Sequence, residues 1–246
     1  MTKAEIQFVR SLADKRARDT HGMFIAEGSK LVEEIQHSSW RIESVYTTRK
    51  ELTGGNVTHI ERKEMERISQ LKTANDTLAV VHIPHYSLSM EELDNGLTLA
   101  LDGVQNPGNM GTIIRLADWF GIKNIVCSAE CADCYSPKVI QATMGAILRV
   151  KVHYVDNLAQ LLQSAARRKV AIYGTLLDGD NIYAAELQES GIIVMGNEGR
   201  GVSEECRQTI THSLFIPPYP TNAATSESLN VAMATGIVLS EFRRPR

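Results

Sequence analysis

LDGVQNPGNMGTIIRLADWFGI, residues 101–122, decides the architecture. It closes an apolar run, turns through a segment crowded with Asn, Pro and Gly, and opens a helix, so it reads as a strand delivered into a helix. Its only cation, Arg115, stands on a helix otherwise rich in Ile, Leu, Ala, Trp and Phe. A buried arginine is costly unless paired. Arg115 is therefore read either as half of an ion pair, with Asp118 at i+3, or as a cation aimed at something negative. Glycines 103, 108 and 111 permit tight turns, and a helix starting near Gly111 is expected to present free amides to an anion. The loop matches neither the dinucleotide fingerprint GxGxxG nor the P-loop GxxxxGK[ST].

Outward from this stretch, the chain beyond residue 97 alternates regularly. Strands are expected at 97–103, 124–129, 150–155, 170–177, 191–197 and 213–218, and helices at 111–121, 136–147, 157–168, 203–210 and 226–244. Apolar runs alternating with helices describe a mostly parallel sheet covered on both faces. Ligands of such sheets bind beyond the carboxyl ends of the strands. That edge receives three loops: QNPGNMG (105–111), GNEGRG (196–201) and PPYPTNAATSES (217–228). Upstream, a helix over 3–19, a strand at 23–28, a helix over 29–38 capped by Ser29, strands at 44–48 and 57–60, a helix at 61–71 and a strand at 77–84 make a small α/β unit. The expected domains are residues 1–83, a Pro-containing linker at 84–96, and 97–246.

With 43% hydrophobic and 22% charged residues, the composition is that of an ordinary globular chain. The charged, interrupted N-terminus is not read as a secretory signal and no run reaches membrane-spanning length, so a soluble, cytoplasmic protein is expected. A net charge of −3 gives no global attraction to nucleic acid, so any RNA contact must come from local basic patches. KRAR (15–18), with Arg10 and Lys30 nearby, is one candidate, although such runs are commonly solvated helix faces. The cysteines Cys127, Cys131, Cys134 and Cys206 include a CADC run but lack a matching second pair, and are read as structural thiols rather than metal ligands.

Each of the three loops alone is compatible with an ordinary turn. Glu198 and Arg200 lie between Gly196, Gly199 and Gly201, and Ser226, Ser228 and Asn230 are placed to cap the last helix. Their combination and order, however, resemble the SpoU class of the SPOUT superfamily, S-adenosylmethionine-dependent RNA ribose 2'-O-methyltransferases. Asn109, Gly111 and Arg115 match the family pattern N-x-G-x-x-x-R, and Gly196, Glu198 and Gly201 match G-x-E-x-x-G. Ile216, Pro217, Ser228, Leu229, Asn230 and Val231 match I-P…S-L-N-V. SPKVIQATMGAILRV (136–150) also resembles the segment between the first two motifs, and FIAEGSKLVEE resembles the ribosomal-protein-like substrate-binding domain attached to such enzymes. PPYPTNAATSE departs from the family by being longer and more proline-rich than the usual link before SLNV.

The resemblance implies a small α/β substrate-binding domain followed by a parallel sheet with a deep trefoil knot, and a homodimer formed through the methyltransferase domain. It implies methyl transfer from S-adenosylmethionine, without a metal, to a ribose 2'-hydroxyl of RNA, with ribosomal RNA favoured over transfer RNA. The residues implied for catalysis are Arg115, Asn109, Glu198, Ser228 and Asn230, and those for the cofactor are Thr175, Gly196, Gly201, Ile216 and Leu229. Arg115 is expected to face the developing oxyanion or an adjacent phosphate, and Glu198 to orient Arg115 or another cation. Arginine stays charged in proteins, so the general base is left unassigned. The competing readings are an RNA-binding protein of the same fold without activity, and a dinucleotide-dependent oxidoreductase.

Overall fold

The computed structural model describes residues 1–220 and 228–245. In chain order its elements are α1 (Lys3–Ser11), α2 (Lys15–His21), β1 (Met23–Glu27), α3 (Ser29–Gln36), β2 (Ile42–Thr47), β3 (Val57–His59), α4 (Arg62–Ile68), β4 (Thr77–His82), α5 (Met90–Asp94) and β5 (Leu97–Leu101). There follow α6 (Pro107–Trp119), β6 (Asn124–Ser128), α7 (Pro137–Thr143), β7 (Lys151–Val155), α8 (Leu158–Arg167), β8 (Ile172–Asn181), β9 (Gly191–Met195), α9 (Glu204–Arg207), β10 (His212–Phe215) and α10 (Val231–Phe242). They form two units: Met1–His85 with Asp133–Leu148, and Tyr86–Ala132 with Arg149–Arg246. The first is thus discontinuous in sequence, whereas the sequence boundaries assigned 133–148 to the second domain, and the expected linker contains the helix α5.

In the first unit β4 lies between β1 and β2, antiparallel to both, and β3 pairs parallel with β2. Ile6, Val9 and Leu12 recur at helical spacing and pack with Ile25, Met65, Ile68, Leu78 and Val80. The single helix expected over 3–19 is broken. Asp14 accepts a hydrogen bond from Arg16 N (2.7 Å) and starts α2 afresh. Arg18 turns inward, only 2% exposed, and donates to the Leu12 and Ala13 carbonyls (2.8 Å each) and to Asp133. The KRAR run is therefore not one solvated or RNA-facing surface. Segment 133–148 belongs here because Asp133 pairs with Arg18 (2.6 Å) and Tyr135 packs on Phe24 (5.1 Å between ring centres). Ser29 is the first residue of α3 rather than its cap, and Gly28, at φ 114°, occupies the cap position.

The second unit is an all-parallel sheet ordered β10-β8-β9-β5-β6-β7. Ala100, Val126, Ile192 and Val194 pack with Leu158, Leu162 and Ala165 of α8. The alternate residues, Leu99, Ile125 and Ile193, are equally buried on the opposite face, as a sheet covered on both sides requires. Where β8 was expected to end at 177, it continues to Asn181, but the partner of Ser213 is Gly174 and that of Leu214 is Asp180. Residues 175–179 thus leave the ladder as an excursion. Residues 221–227 of the C-terminal chain expected to thread a loop, the candidate cap Ser226 among them, lie outside the described residues. Among the described residues, no helix is long and apolar enough to cross a membrane.

Candidate active site

The end of β5 and the end of β9 are tied together before either enters its loop. Asp102 N donates to the Met195 carbonyl (2.9 Å), and the Asp102 carboxylate accepts from Ser203 N (2.6 Å). Gly103, at φ 74°, donates to Ser128 Oγ (3.0 Å), and its carbonyl accepts from Asn197 Nδ2 (2.6 Å). The second loop closes on itself: Asn197 and Gly201 exchange both backbone hydrogen bonds (2.9 and 3.0 Å), and Asn197 Oδ1 accepts from Gly199 N and Arg200 N. A side chain at Gly196 would overlap the Gly201–Val202 peptide, its Cβ lying 2.6 Å from the Gly201 carbonyl oxygen. Gly196→Ala is therefore expected to push the loop off β9, destabilising the protein by about 2 kcal/mol through overpacking, and to weaken binding of the S-adenosylmethionine that the motif resemblance implies by about tenfold in calorimetric titration. Unchanged affinity would remove this loop from the cofactor site.

Helix α6 begins four residues earlier than expected. Asn106 is its N-cap, accepting from Gly108 N (2.8 Å) and Asn109 N (3.1 Å), and Pro107 takes the first helical position. Asn109 and Gly111 thus lie on the first turns of the helix, not in a loop before it. The amides expected to be free for an anion are in part used. Glu198 accepts from Asn106 N (3.2 Å) and Gln105 N (3.4 Å), and also from Asn109 Nδ2 (2.9 Å). Partial desolvation raises the Glu198 pKa, but the hydrogen bonds from Asn109 and from backbone amides more than offset it and hold the carboxyl below its ordinary value. Asn109 Oδ1 in turn accepts from Asn230 Nδ2 (3.0 Å). Asn230 caps α10, accepting from Ala232 N (3.0 Å) and Met233 N (3.3 Å). One relay of side chains, Glu198–Asn109–Asn230, joins the second loop to the starts of α6 and α10.

Arg115 does not enter this relay. It is exposed, because the inward stripe of α6 is Met110, Ile113, Ile114 and Ala117. Among the described residues it makes no hydrogen bond or ion pair. Asp118, its expected partner, is held by Arg149 (Nη2 to Oδ2, 2.8 Å), and Glu198, expected to orient Arg115, binds amides and Asn109 instead. Ser228 is exposed and stands two residues before the cap Asn230.

Three of the five cofactor candidates fall at neighbouring strand ends. Thr175 begins the β8 excursion and donates to the Val194 carbonyl (3.3 Å), Gly196 follows β9, and Ile216 follows β10. Leu229, 50% exposed, precedes the cap of α10. Asn106, Asp102, Asn197 and Ser203 were missed as site-building residues. The Asn106-Pro107 pair, a cap followed by proline at N1, carried the signal for the first of them.

Comparison with known proteins accords with this geometry. The model of the SpoU rRNA Methylase family matches residues 96–240, and that of the MRM3-like substrate binding domain matches residues 3–79. The 23S rRNA (guanosine(2553)-2'-O)-methyltransferase RlmP of Bacillus subtilis is 28% identical over 241 residues, covering 95% of this chain and 94% of that protein. The 23S rRNA (guanosine-2'-O-)-methyltransferase RlmB of Neisseria meningitidis is 34% identical over 61% of this chain and 59% of its own length. A solved structure from Porphyromonas gingivalis, assigned to the TrmH family of RNA methyltransferases, matches with a TM-score of 0.89 and 38% identity over 99% of this chain and 98% of that one. An AdoMet-bound rRNA methyltransferase from Sinorhizobium meliloti matches with a TM-score of 0.87 and 28% identity over 99% and 95%.

Proposed function

This chain belongs to the SpoU rRNA Methylase family, and on that premise we propose that it transfers a methyl group from S-adenosylmethionine to a ribose 2'-hydroxyl of ribosomal RNA. The observation that carries this reading is the hydrogen-bonded relay of Glu198, Asn109 and Asn230, which unites one residue from each of the three motifs beside the carboxyl ends of the strands. The relay orders the two helix starts, and the exposed guanidinium of Arg115, which has no partner among the described residues, supplies the cation that stabilises negative charge on the attacking oxygen. Ser228, exposed beside the cap of α10, is assigned to the substrate. Thr175, Gly196, Gly201, Ile216 and Leu229 are assigned to the cofactor. Their chemistry fits it, since closely folded backbone and two partly exposed apolar side chains suit an adenine ring, and no metal is required. S-adenosylmethionine supplies an electrophilic methyl on a sulfonium that leaves as a neutral thioether.

The first unit is assigned to holding RNA, a reading supported by its match to a substrate-binding domain. A cytoplasmic location follows from the proposed substrate, and the threaded C-terminal chain follows from the family resemblance. A homodimer is supported by an apolar groove between α6 and α10, of about 420 Å³, lined by Leu116, Tyr183, Ala232, Met233, Gly236 and Ile237. Met233 is 63% exposed there. Glu241 lies at the edge of that groove, and Met233→Glu adds a second carboxylate among its apolar side chains, so the variant is expected to convert a dimer to a monomer in light scattering. A wild-type monomer at tens of micromolar would end the dimer reading.

The function itself is tested by incubating the protein with labelled S-adenosylmethionine and unmodified ribosomal or transfer RNA, then mapping ribose methylation. One labelled ribose in ribosomal RNA is expected. Label in transfer RNA alone would move the substrate, and cofactor binding without label in either would favour an RNA-binding protein.

A further inference from the structure

The carboxyl end of α6 carries an exposed tryptophan inside a cluster of cations. Trp119 is 84% exposed, the highest among large apolar side chains on the helices of this unit. Around it Lys123, Arg149, Arg243 and Arg244 are all exposed. They are brought together by specific contacts. Arg149 grips Asp118, the residue before Trp119, through Nε and Nη2 (2.8–3.0 Å), and Arg243 Nε donates to the Phe120 carbonyl (3.0 Å), the residue after it. Among the described residues, the carboxylates in the cluster, Asp118 and Glu241, are each paired with one of its arginines. What faces solvent is an aromatic ring framed by positive charge.

We propose that this patch binds a single-stranded segment of RNA next to the modified nucleotide, with a base stacked on Trp119 and phosphates held by Arg243, Arg244 and Lys123. The proposal rests on the RNA-methyltransferase reading and deepens it. Base stacking on an exposed ring, combined with backbone neutralisation by flanking cations, is how single strands are held without sequence preference. The position also fits: Trp119 is four residues beyond Arg115 on the same side of α6, about 6 Å further along its axis, so RNA reaching Arg115 runs on toward Trp119. A second copy of this chain is the poorer occupant. A two-fold axis through the ring would set these cations against their own copies, whereas the neighbouring groove at Leu116 and Met233 is mainly apolar.

The test uses the full chain and a fluorescein-labelled mixed-sequence single-stranded RNA 12-mer, followed by anisotropy across a salt series. Trp119→Ala is expected to weaken binding about tenfold, the loss of one stacked base, with Trp119→Phe recovering most of it and the salt slope unchanged. Arg243→Ala with Arg244→Ala is expected to reduce the slope of log K against log salt by about 1.4, about 0.7 for each phosphate that a single strand no longer has neutralised. S-adenosylmethionine affinity stays at the wild-type value in all three variants. RNA affinity unchanged in Trp119→Ala overturns the proposal, and a simultaneous loss of dimer would assign the ring to a second copy. Methylation of unmodified ribosomal RNA by the wild type is assayed alongside. If the wild type methylates ribosomal RNA while Trp119→Ala binds as tightly as it does, the patch fails and the enzyme reading stands. If the wild type methylates nothing, the enzyme reading fails, and the patch is judged on binding alone.

Discussion

Arg115→Ala is expected to lower single-turnover methyl transfer by about 100- to 1,000-fold, the scale seen when one fixed oxyanion-stabilising donor is removed. The expected size follows from placement. Arg115 is exposed and makes no hydrogen bond or ion pair among the described residues, so its removal breaks no pair among them and uncovers little buried surface. The unfolding free energy should therefore stay within about 0.5 kcal/mol of wild type, and S-adenosylmethionine binding should be preserved. Arg115→Lys keeps the charge but not the planar fork, and is expected to recover only part of the rate. If the guanidinium grips a phosphate rather than the reacting oxygen, KM for RNA rises while kcat is kept. A variant as active as wild type would exclude Arg115 from the chemistry.

The second large effect is on stability. Asp133→Ala leaves Arg18 charged and almost wholly enclosed, with only the carbonyls of Leu12 and Ala13 as acceptors among the described residues. Breaking a buried pair from one side costs about 3 to 5 kcal/mol, because the remaining charge has lost its compensation. Asp133→Asn keeps an oxygen that can accept from Tyr135 N, as Oδ1 does at 2.8 Å, and is expected to cost less. Urea unfolding would separate the two, with Asp133→Ala moved furthest. An equal midpoint for Asp133→Ala and wild type would show that the pair is thermodynamically idle. Because Arg18 lies in the basic run that the sequence offers as a docking surface, the same experiment separates a packing role from an RNA-binding one.

The alternation of strands and helices was legible because each buried strand is a short apolar run and each connecting helix carries its own period. The loops at the carboxyl edge were legible for the same reason. The start of α6 was not, since glycines at 108 and 111 are poor helix formers and only the Asn106 cap and Pro107 commit the chain to a helix earlier. Arg115 read as a buried cation because its sequence neighbours are apolar. A helix turns about 100° per residue, so Ile114 points inward while Arg115 faces water. Glu198 was expected to hold a cation, and instead holds amides and Asn109. That choice depends on how closely two loops approach, which no local pattern encodes. Nor does any local pattern join Arg18 to Asp133, 115 positions later.

The discontinuity of the first unit has a consequence for how the protein comes into being. A chain emerging from the ribosome amino end first, at about 5–20 residues per second, has released all four strands of that unit's sheet by His82, yet lacks Asp133, Tyr135 and the rest of 133–148. During the several seconds before they arrive, Arg18 lacks its folded-state partner Asp133 and Phe24 lacks one of its ring neighbours. Meanwhile β5 and β6 are exposed without β9, which must pair with β5. The nascent chain therefore passes through an interval in which neither unit can be completed, with strand edges left unpaired and apolar surface uncovered.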